Sequence, residues 1–191
     1  QMGFKRNLTP DEIVEQVVLW TRWLKYNPHN PPNPPAPLGR AGQALYQGGI
    51  NLPRQGGENK SPHPPLLKGT NTQGGRVSNV VFMGMGEPFL NYENVMSAIK
   101  VLNAPDGLNI GARRISLSTV GIEGGWEKLA KENLQLNLAL SLHAPTDQLR
   151  AQIIPYNNAN PIKNLIKEAS YYLARTKRRL MIEYLMIDHF N

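Results

Sequence analysis

Apolar positions recur along this 191-residue chain with two different periods, separated by one long stretch with neither. Thr9-Pro10-Asp11-Glu12 opens a helix. Thr9 serves as the N-cap, Pro10 fits the first turn and Glu12 completes a capping box. Ile13, Val14, Val17, Val18 and Thr21 follow at helical spacing, and the pattern fades between Trp23 and Tyr26. After Arg76 strand and helix patterns alternate. Strands are predicted at Val77–Met83, Ile115–Thr119, Leu136–Leu142 and Leu180–Ile187. Helices are predicted at Tyr92–Leu102, Trp126–Lys131, Thr146–Ile153 and Ile162–Arg175. Val95, Ala98, Ile99 and Leu102 should face inward on the first of these, and Ile162, Leu165, Ile166, Ala169 and Leu173 on the last. Strands alternating with helices mean βαβ units and a parallel sheet, hence an α/β fold, with an incomplete barrel fitting better than a closed one. The leading helix implies a further strand ahead of Gln1.

Between Asn27 and Gly75 lie 10 of the 16 prolines and 9 of the 17 glycines, so neither helix nor inner strand can form there. The expected organisation is a first helix with its preceding loop (1–26), a disordered Pro/Gly-rich insertion (27–76) and a β/α core (77–191). Net charge is +7, a value that ordinarily suggests nucleic acid. Arg40, Arg54, Lys60, Lys68 and Arg76 against Glu58 place +4 of it in the insertion, so most of the excess is not a shaped patch. No cysteine is present, which excludes disulfides, thiolate metal sites and a cysteine nucleophile within these residues. No apolar run approaches membrane-spanning length and no signal-peptide pattern appears, so a soluble, cytoplasmic protein is expected.

In parallel sheets ligands gather at the carboxyl ends of the strands. The first predicted strand ends in Gly84, Gly86, Glu87 and Pro88. The second ends in Ser118, Thr119 and Gly121, the third in Ser141, Leu142 and His143, and the fourth in Asp188 and His189. An acid suits an ammonium group, hydroxyls suit ribose or carboxylate, and glycine backbone allows close approach. Each residue has a plainer use. Glu87 can cap the helix that follows, Ser118 and Thr119 can close a turn, and a lone histidine such as His143 is more often packed than catalytic. Their recurrence along one sheet edge favours a site. Arg113-Arg114 and Lys177-Arg178-Arg179 precede strands and so belong to the opposite, amino-terminal face, in a solvated or phosphate-bracing role. Lys5 and Arg6 precede the first helix, on the ligand side, and are the better candidates for an RNA phosphate.

Five collinear blocks carry a family resemblance: Gln1-Met2-Gly3-Phe4-Lys5-Arg6-Asn7-Leu8-Thr9; Val81 to Asn91 with Gly84-Met85-Gly86-Glu87-Pro88 at its centre; Arg113 to Thr119; Ala139-Leu140-Ser141-Leu142-His143-Ala144-Pro145; and Ile182-Glu183-Tyr184 with Asp188-His189. Together they resemble the radical S-adenosylmethionine RNA methyltransferases of the RlmN/Cfr type. The resemblance implies a partial radical-SAM (β/α)6 barrel. It also implies methylation of adenine C2 in 23S rRNA and in tRNA through a methyl-cysteine, with S-adenosylmethionine, a [4Fe-4S] cluster and an external reductant such as flavodoxin, in a monomer. Carried across by motif, Gly86 and Glu87 would hold the amino group of S-adenosylmethionine, and Ser118 with Ser141, Leu142 and His143 would complete its pocket.

The chain departs from the family pattern in lacking the CxxxCxxC loop, the methyl-carrying cysteine, the amino-terminal RNA-binding domain and a cofactor-binding asparagine. It is therefore expected to be a central fragment with no catalytic or metal-binding residue of its own, and to be inactive alone. A non-catalytic remnant that keeps some S-adenosylmethionine or RNA affinity is the second reading. A glycyl-radical activase, which shares a Gly-Glu-Pro element, is the third. The Ser-Leu-His-Ala-Pro and Gly-Phe-Lys-Arg-Asn-Leu blocks argue against that last one.

Overall fold

The computed structural model describes residues 6–26, 77–83 and 86–191, with backbone only for 23–26. The predicted insertion at 27–76 lies outside the described residues. Four strands, β1 (Val80–Phe82), β2 (Ile115–Thr119), β3 (Asn137–Ser141) and β4 (Leu180–Glu183), form one sheet in the order β1-β2-β3-β4, all parallel. Between and before them run α1 (Pro10–Tyr26), α2 (Tyr92–Asn103), α3 (Gly125–Lys131), α4 (Asp147–Ile153) and α5 (Ile162–Thr176).

The first helix starts as its sequence dictates. The Glu12 N–H donates to Thr9 Oγ1 at 3.3 Å and the Thr9 N–H donates to Glu12 Oε2 at 2.9 Å, a closed capping box. Two predicted strands prove shorter. Val77–Met83 pairs only over Val80–Phe82, and Leu180–Ile187 only over Leu180–Glu183. Both lie at sheet edges, where one neighbour rather than two supplies ladder partners, and β-propensity alone does not extend a strand. The other elements agree with their predicted bounds to within a residue or two.

A sequential parallel order with right-handed crossovers places every crossover helix on the same side of the sheet. Register and burial agree with that. Ile115, Leu117, Leu138 and Leu140 point toward the helices and join a single core with Ile13, Val14 and Val17 of α1, the Val95–Leu102 face of α2, Trp126 and Leu129 of α3, and Leu165 and Tyr172 of α5. Trp126 and Tyr172 meet edge-on with ring centroids 6.4 Å apart. The inward face of α5 differs from the expected one: Ile166 and Leu173 are exposed, and the buried stripe is Leu165 and Tyr172 with Ala169 packed between them. The helix is rotated so that the aromatic ring fills the space beside Trp126, which turns the two aliphatic residues outward.

The alternate positions, Val81, Ser116, Ser118, Asn137, Ala139, Ser141, Met181 and Glu183, contribute nothing to that core. This second face corresponds to the inside of a barrel, and the described strands make an open arc of one. The resulting architecture is the partial α/β barrel expected from the sequence.

Candidate functional site

At the carboxyl end of β1, Gly86 holds φ +121 in an exposed turn with free space where a Cβ would stand. Backbone conformation, not crowding, demands glycine there. Glu87 follows. Its Oε1 accepts the Phe89 N–H at 3.1 Å, capping a 3-10 turn at Pro88–Asn91, and its Oε2 accepts the Val120 N–H at 2.9 Å from the end of β2. The capping use weighed for Glu87 is therefore present, and so is a second one: the carboxylate ties two neighbouring strand ends together. Burial pushes its carboxyl above the ordinary value, against the pull of the backbone donors of Val120 and Phe89 and of the Thr119 hydroxyl.

Ser118 and Ser141 face the open side from β2 and β3. Their hydroxyl oxygens lie 3.1 Å apart, and both donate to the same atom, Glu183 Oε2 of β4, at 2.9 and 3.0 Å. The register explains the meeting, since Ser141 is the lateral partner of Glu183 and Ser118 sits one strand further along. A three-strand polar cluster thus spans the sheet just below its rim.

Arg150 of α4 organises that rim from behind. It is fully buried. Its guanidinium donates to the carbonyls of Val120 at 2.7 Å, Ser141 at 2.9 Å and Leu142 at 3.0 Å, and to Asn157 Oδ1 at 2.9 Å. Asn157 passes the contact on to Asp147 Oδ1 at 2.8 Å. One side chain therefore satisfies carbonyls at the ends of two strands that the parallel ladder leaves unpaired.

His143 sits in the left-handed region at φ 59, and its Nδ1 accepts the Leu185 N–H at 3.0 Å. That contact assigns the neutral ring a proton on Nε2. Burial pushes its pKa down, with Glu183 pulling the other way and Arg150 reinforcing the drop. Leu142 contributes backbone: its N–H donates to the Glu183 carbonyl at 3.0 Å and its carbonyl accepts from Arg150. Asn191 donates to the His143 and Leu185 carbonyls, closing this loop. The structure therefore brings Ser118, Ser141, Leu142 and His143 together around Glu183, with Glu87 linked to the same rim through Val120.

Other candidates are placed elsewhere. Asp188 and His189 form an exposed pair at 3.3 Å beyond β4. Arg6 forks onto Glu12 at 2.8 and 2.5 Å, and this pairing, with the Thr9 cap, lowers the Glu12 pKa to about 2. Lys5 lies outside the described residues. Arg113, Arg114 and Arg178 are at the amino-terminal edge as expected, where Arg113 donates to Gln135 and Arg178 to Asn137.

Glu183 and Arg150 were not among the residues singled out as site candidates. For Glu183 a signal existed, an acid one step beyond Met181-Ile182 at the end of an apolar run. The longer predicted strand concealed it by placing the rim at Asp188. For Arg150 there was none, because an arginine in a short amphipathic helix is ordinarily solvated.

No family model matches the chain. A protein of Dictyoglomus thermophilum described as "Probable dual-specificity RNA methyltransferase RlmN" is 50% identical over 119 residues, 62% of this chain and 34% of that protein. One of the same description from Chloroflexus aurantiacus is 50% identical over 117 residues, 61% of this chain and 31% of the relative. The chain is homologous to a segment of the RlmN-type methyltransferases. A crystal structure of a radical SAM methyltransferase from Sphaerobacter thermophilus superimposes with a TM-score of 0.71 at 35% identity, covering all of this chain and 42% of that one. The chain thus spans about a third of the length of the RlmN-type relatives it matches.

Proposed function

We propose that this chain supplies the S-adenosylmethionine-binding strand ends of a cytoplasmic radical SAM RNA methyltransferase that acts on adenine C2 of 23S rRNA and of tRNA. The observation that carries this reading is the convergence of Glu87, Ser118, Ser141, His143 and Glu183 on one sheet edge, in a chain half-identical to RlmN-type relatives over the matched residues. The rim is rich in acceptors, and S-adenosylmethionine offers donors to them through its ammonium and sugar hydroxyls. Bound there, it would supply the methyl group and the adenosyl fragment of the chemistry. Glu87 and the Gly86 backbone would hold its amino-acid end. The serine pair, Leu142 and His143 would form the remaining wall.

A [4Fe-4S] cluster does not fit the residues present. The chain has no cysteine, and among the described residues no group of three His, Cys, Asp or Glu side chains gathers. No catalytic step is assigned to this chain for that reason. Its own role is binding, and methyl transfer requires thiolates it does not contain. Contact of Arg6 with an RNA phosphate would require exchange of Glu12 for the phosphate. No helix among the described residues is long and apolar enough to cross a membrane.

The deciding experiment is calorimetric titration of the chain with S-adenosylmethionine, with an iron assay after anaerobic iron–sulfur reconstitution. Measurable binding that weakens about tenfold or more in Glu87→Ala is expected, with no stoichiometric iron. Absence of binding overturns the reading, and stoichiometric iron with visible absorbance overturns the assignment of a binding role alone.

A further inference from the structure

Three side chains on adjacent strands share two hydroxyl protons. Ser118 and Ser141 each own one, and both hydroxyls lie within hydrogen-bonding distance of Glu183 Oε2 and of one another. A carboxylate accepts and cannot donate. With each serine proton directed at Glu183, the serine lone pairs and Glu183 Oε1 are left as acceptors. Glu183 Oε1 makes no hydrogen bond to any described residue, while its partner oxygen takes two. Strand alternation puts all three side chains on the face that the helices do not cover, where Ser118 is buried and Ser141 and Glu183 are half-buried.

The buried guanidinium of Arg150, at the same rim, is engaged elsewhere. All four of its hydrogen bonds go to the strand-end carbonyls and Asn157, and none to Glu183. Among the described residues the Glu183 carboxylate takes hydrogen bonds from two hydroxyls, with the His143 ring close enough to feel its charge. A group with hydrogens to donate and no negative charge of its own would complete it, and an anionic group would be repelled.

We propose that Glu183 is a further ligand-recognition residue of this site. Through Oε2 it fixes the hydroxyl orientations of Ser118 and Ser141, and through Oε1 it offers the strongest acceptor on the open face. The cluster thereby selects a neutral or cationic, hydrogen-bond-donating part of the ligand. This rests on the S-adenosylmethionine reading above, and it adds a carboxylate that neither the sequence motifs nor the matched relatives' descriptions assign.

The test is a double-mutant cycle measured by calorimetry with S-adenosylmethionine on the chain. Glu183→Gln keeps one oxygen for the two serine hydroxyls but replaces the free acceptor by a donor. It is expected to weaken binding about tenfold or more. Ser118→Ala combined with Ser141→Ala is expected to weaken it less. The triple variant should lose less than the sum of the separate losses, because the carboxylate acts partly through the serines. Glu127→Gln, on the far helix α3 in an exposed pair with Lys131, should bind as the parent does. Unchanged affinity in Glu183→Gln, or losses that simply add, overturns the proposal. If the parent itself binds no S-adenosylmethionine, it is the underlying ligand reading that has failed. A measurement that needs no variant guards against misfolding. Coupling of glycine ethyl ester to Glu183 by carbodiimide, mapped by mass spectrometry, should be suppressed at saturating S-adenosylmethionine, and unprotected labelling overturns the proposal.

Discussion

On one face of the sheet Ile115, Leu117, Leu138 and Leu140 are at most 5% exposed and lie beneath four helices. One residue along the same strands, the other face carries Ser116, Ser118, Asn137, Ser141 and Glu183, with Val81 and Met181 about half exposed on the edge strands and Ser118 and Ala139 buried at its centre. The covered face is held by area removed from water, which is non-directional, and by close packing. The open face is held by directed hydrogen bonds, whose donors and acceptors are counted and whose remainder is available to a ligand. The same backbone therefore serves stability on one side and recognition on the other. The division follows from all-parallel sequential topology, which assigns every helix to one side.

Arg150 stands where the two faces meet, and its removal should have the largest effect. Arg150→Met leaves the carbonyls of Val120, Ser141 and Leu142 without their buried donor. It is expected to cost about 3–5 kcal/mol in urea denaturation. A loss under about 1 kcal/mol would mean that water replaces the guanidinium and that the rim is not organised from behind.

A matched pair of truncations then sharpens the contrast between faces. Leu138→Ala, fully buried beneath the helices, should cost about 2–5 kcal/mol. Met181→Ala, on the alternate face of the neighbouring strand and 46% exposed, should stay within about 1 kcal/mol. Equal costs would show that the open face is packed in solution and would remove its availability to a ligand.

The smallest effect concerns the surface pairing of Glu12 with Arg6. The carboxyl is held at about 2 in the folded chain against an ordinary 4.5, first by the Arg6 hydrogen bonds and then by the Thr9 N–H. A depressed carboxylate stabilises the fold above its unfolded value, and that contribution is lost as pH falls through the folded one. The stability difference between the parent and Glu12→Gln should therefore be constant above about pH 4.5 and disappear toward pH 2. Because the Arg6 partner is 59% exposed, screening holds the difference below about 1 kcal/mol. Glu87 has the opposite sign. Its carboxyl is raised by burial, so its ionisation opposes folding as pH climbs through the folded value.

Much of this was legible in the residue pattern, for reasons that differ by element. The capping box at Thr9–Glu12 and the α2 face of Val95, Ala98, Ile99 and Leu102 are short-range statements, settled by spacing within one helix. The alternation of strand and helix led to a parallel sheet, and so to the strand ends bearing Glu87, Ser118 and Ser141. The chemistry that ties those ends together was not legible. Glu183 meets two serines 65 and 42 positions away, and Arg150 reaches carbonyls of two different strands. The burial of Tyr172 in place of Ile166 and Leu173 likewise depended on what stood opposite, the Trp126 ring.

By itself the sequence determined the order of elements, their periods and which end of the sheet gathers polar residues, because each of those is decided within a few residues of chain. Register and helix placement decided which acid completes the serine pair and which guanidinium closes the rim. Those depend on separations of a few ångströms between residues far apart in the chain, and such separations exist only once the strands lie side by side.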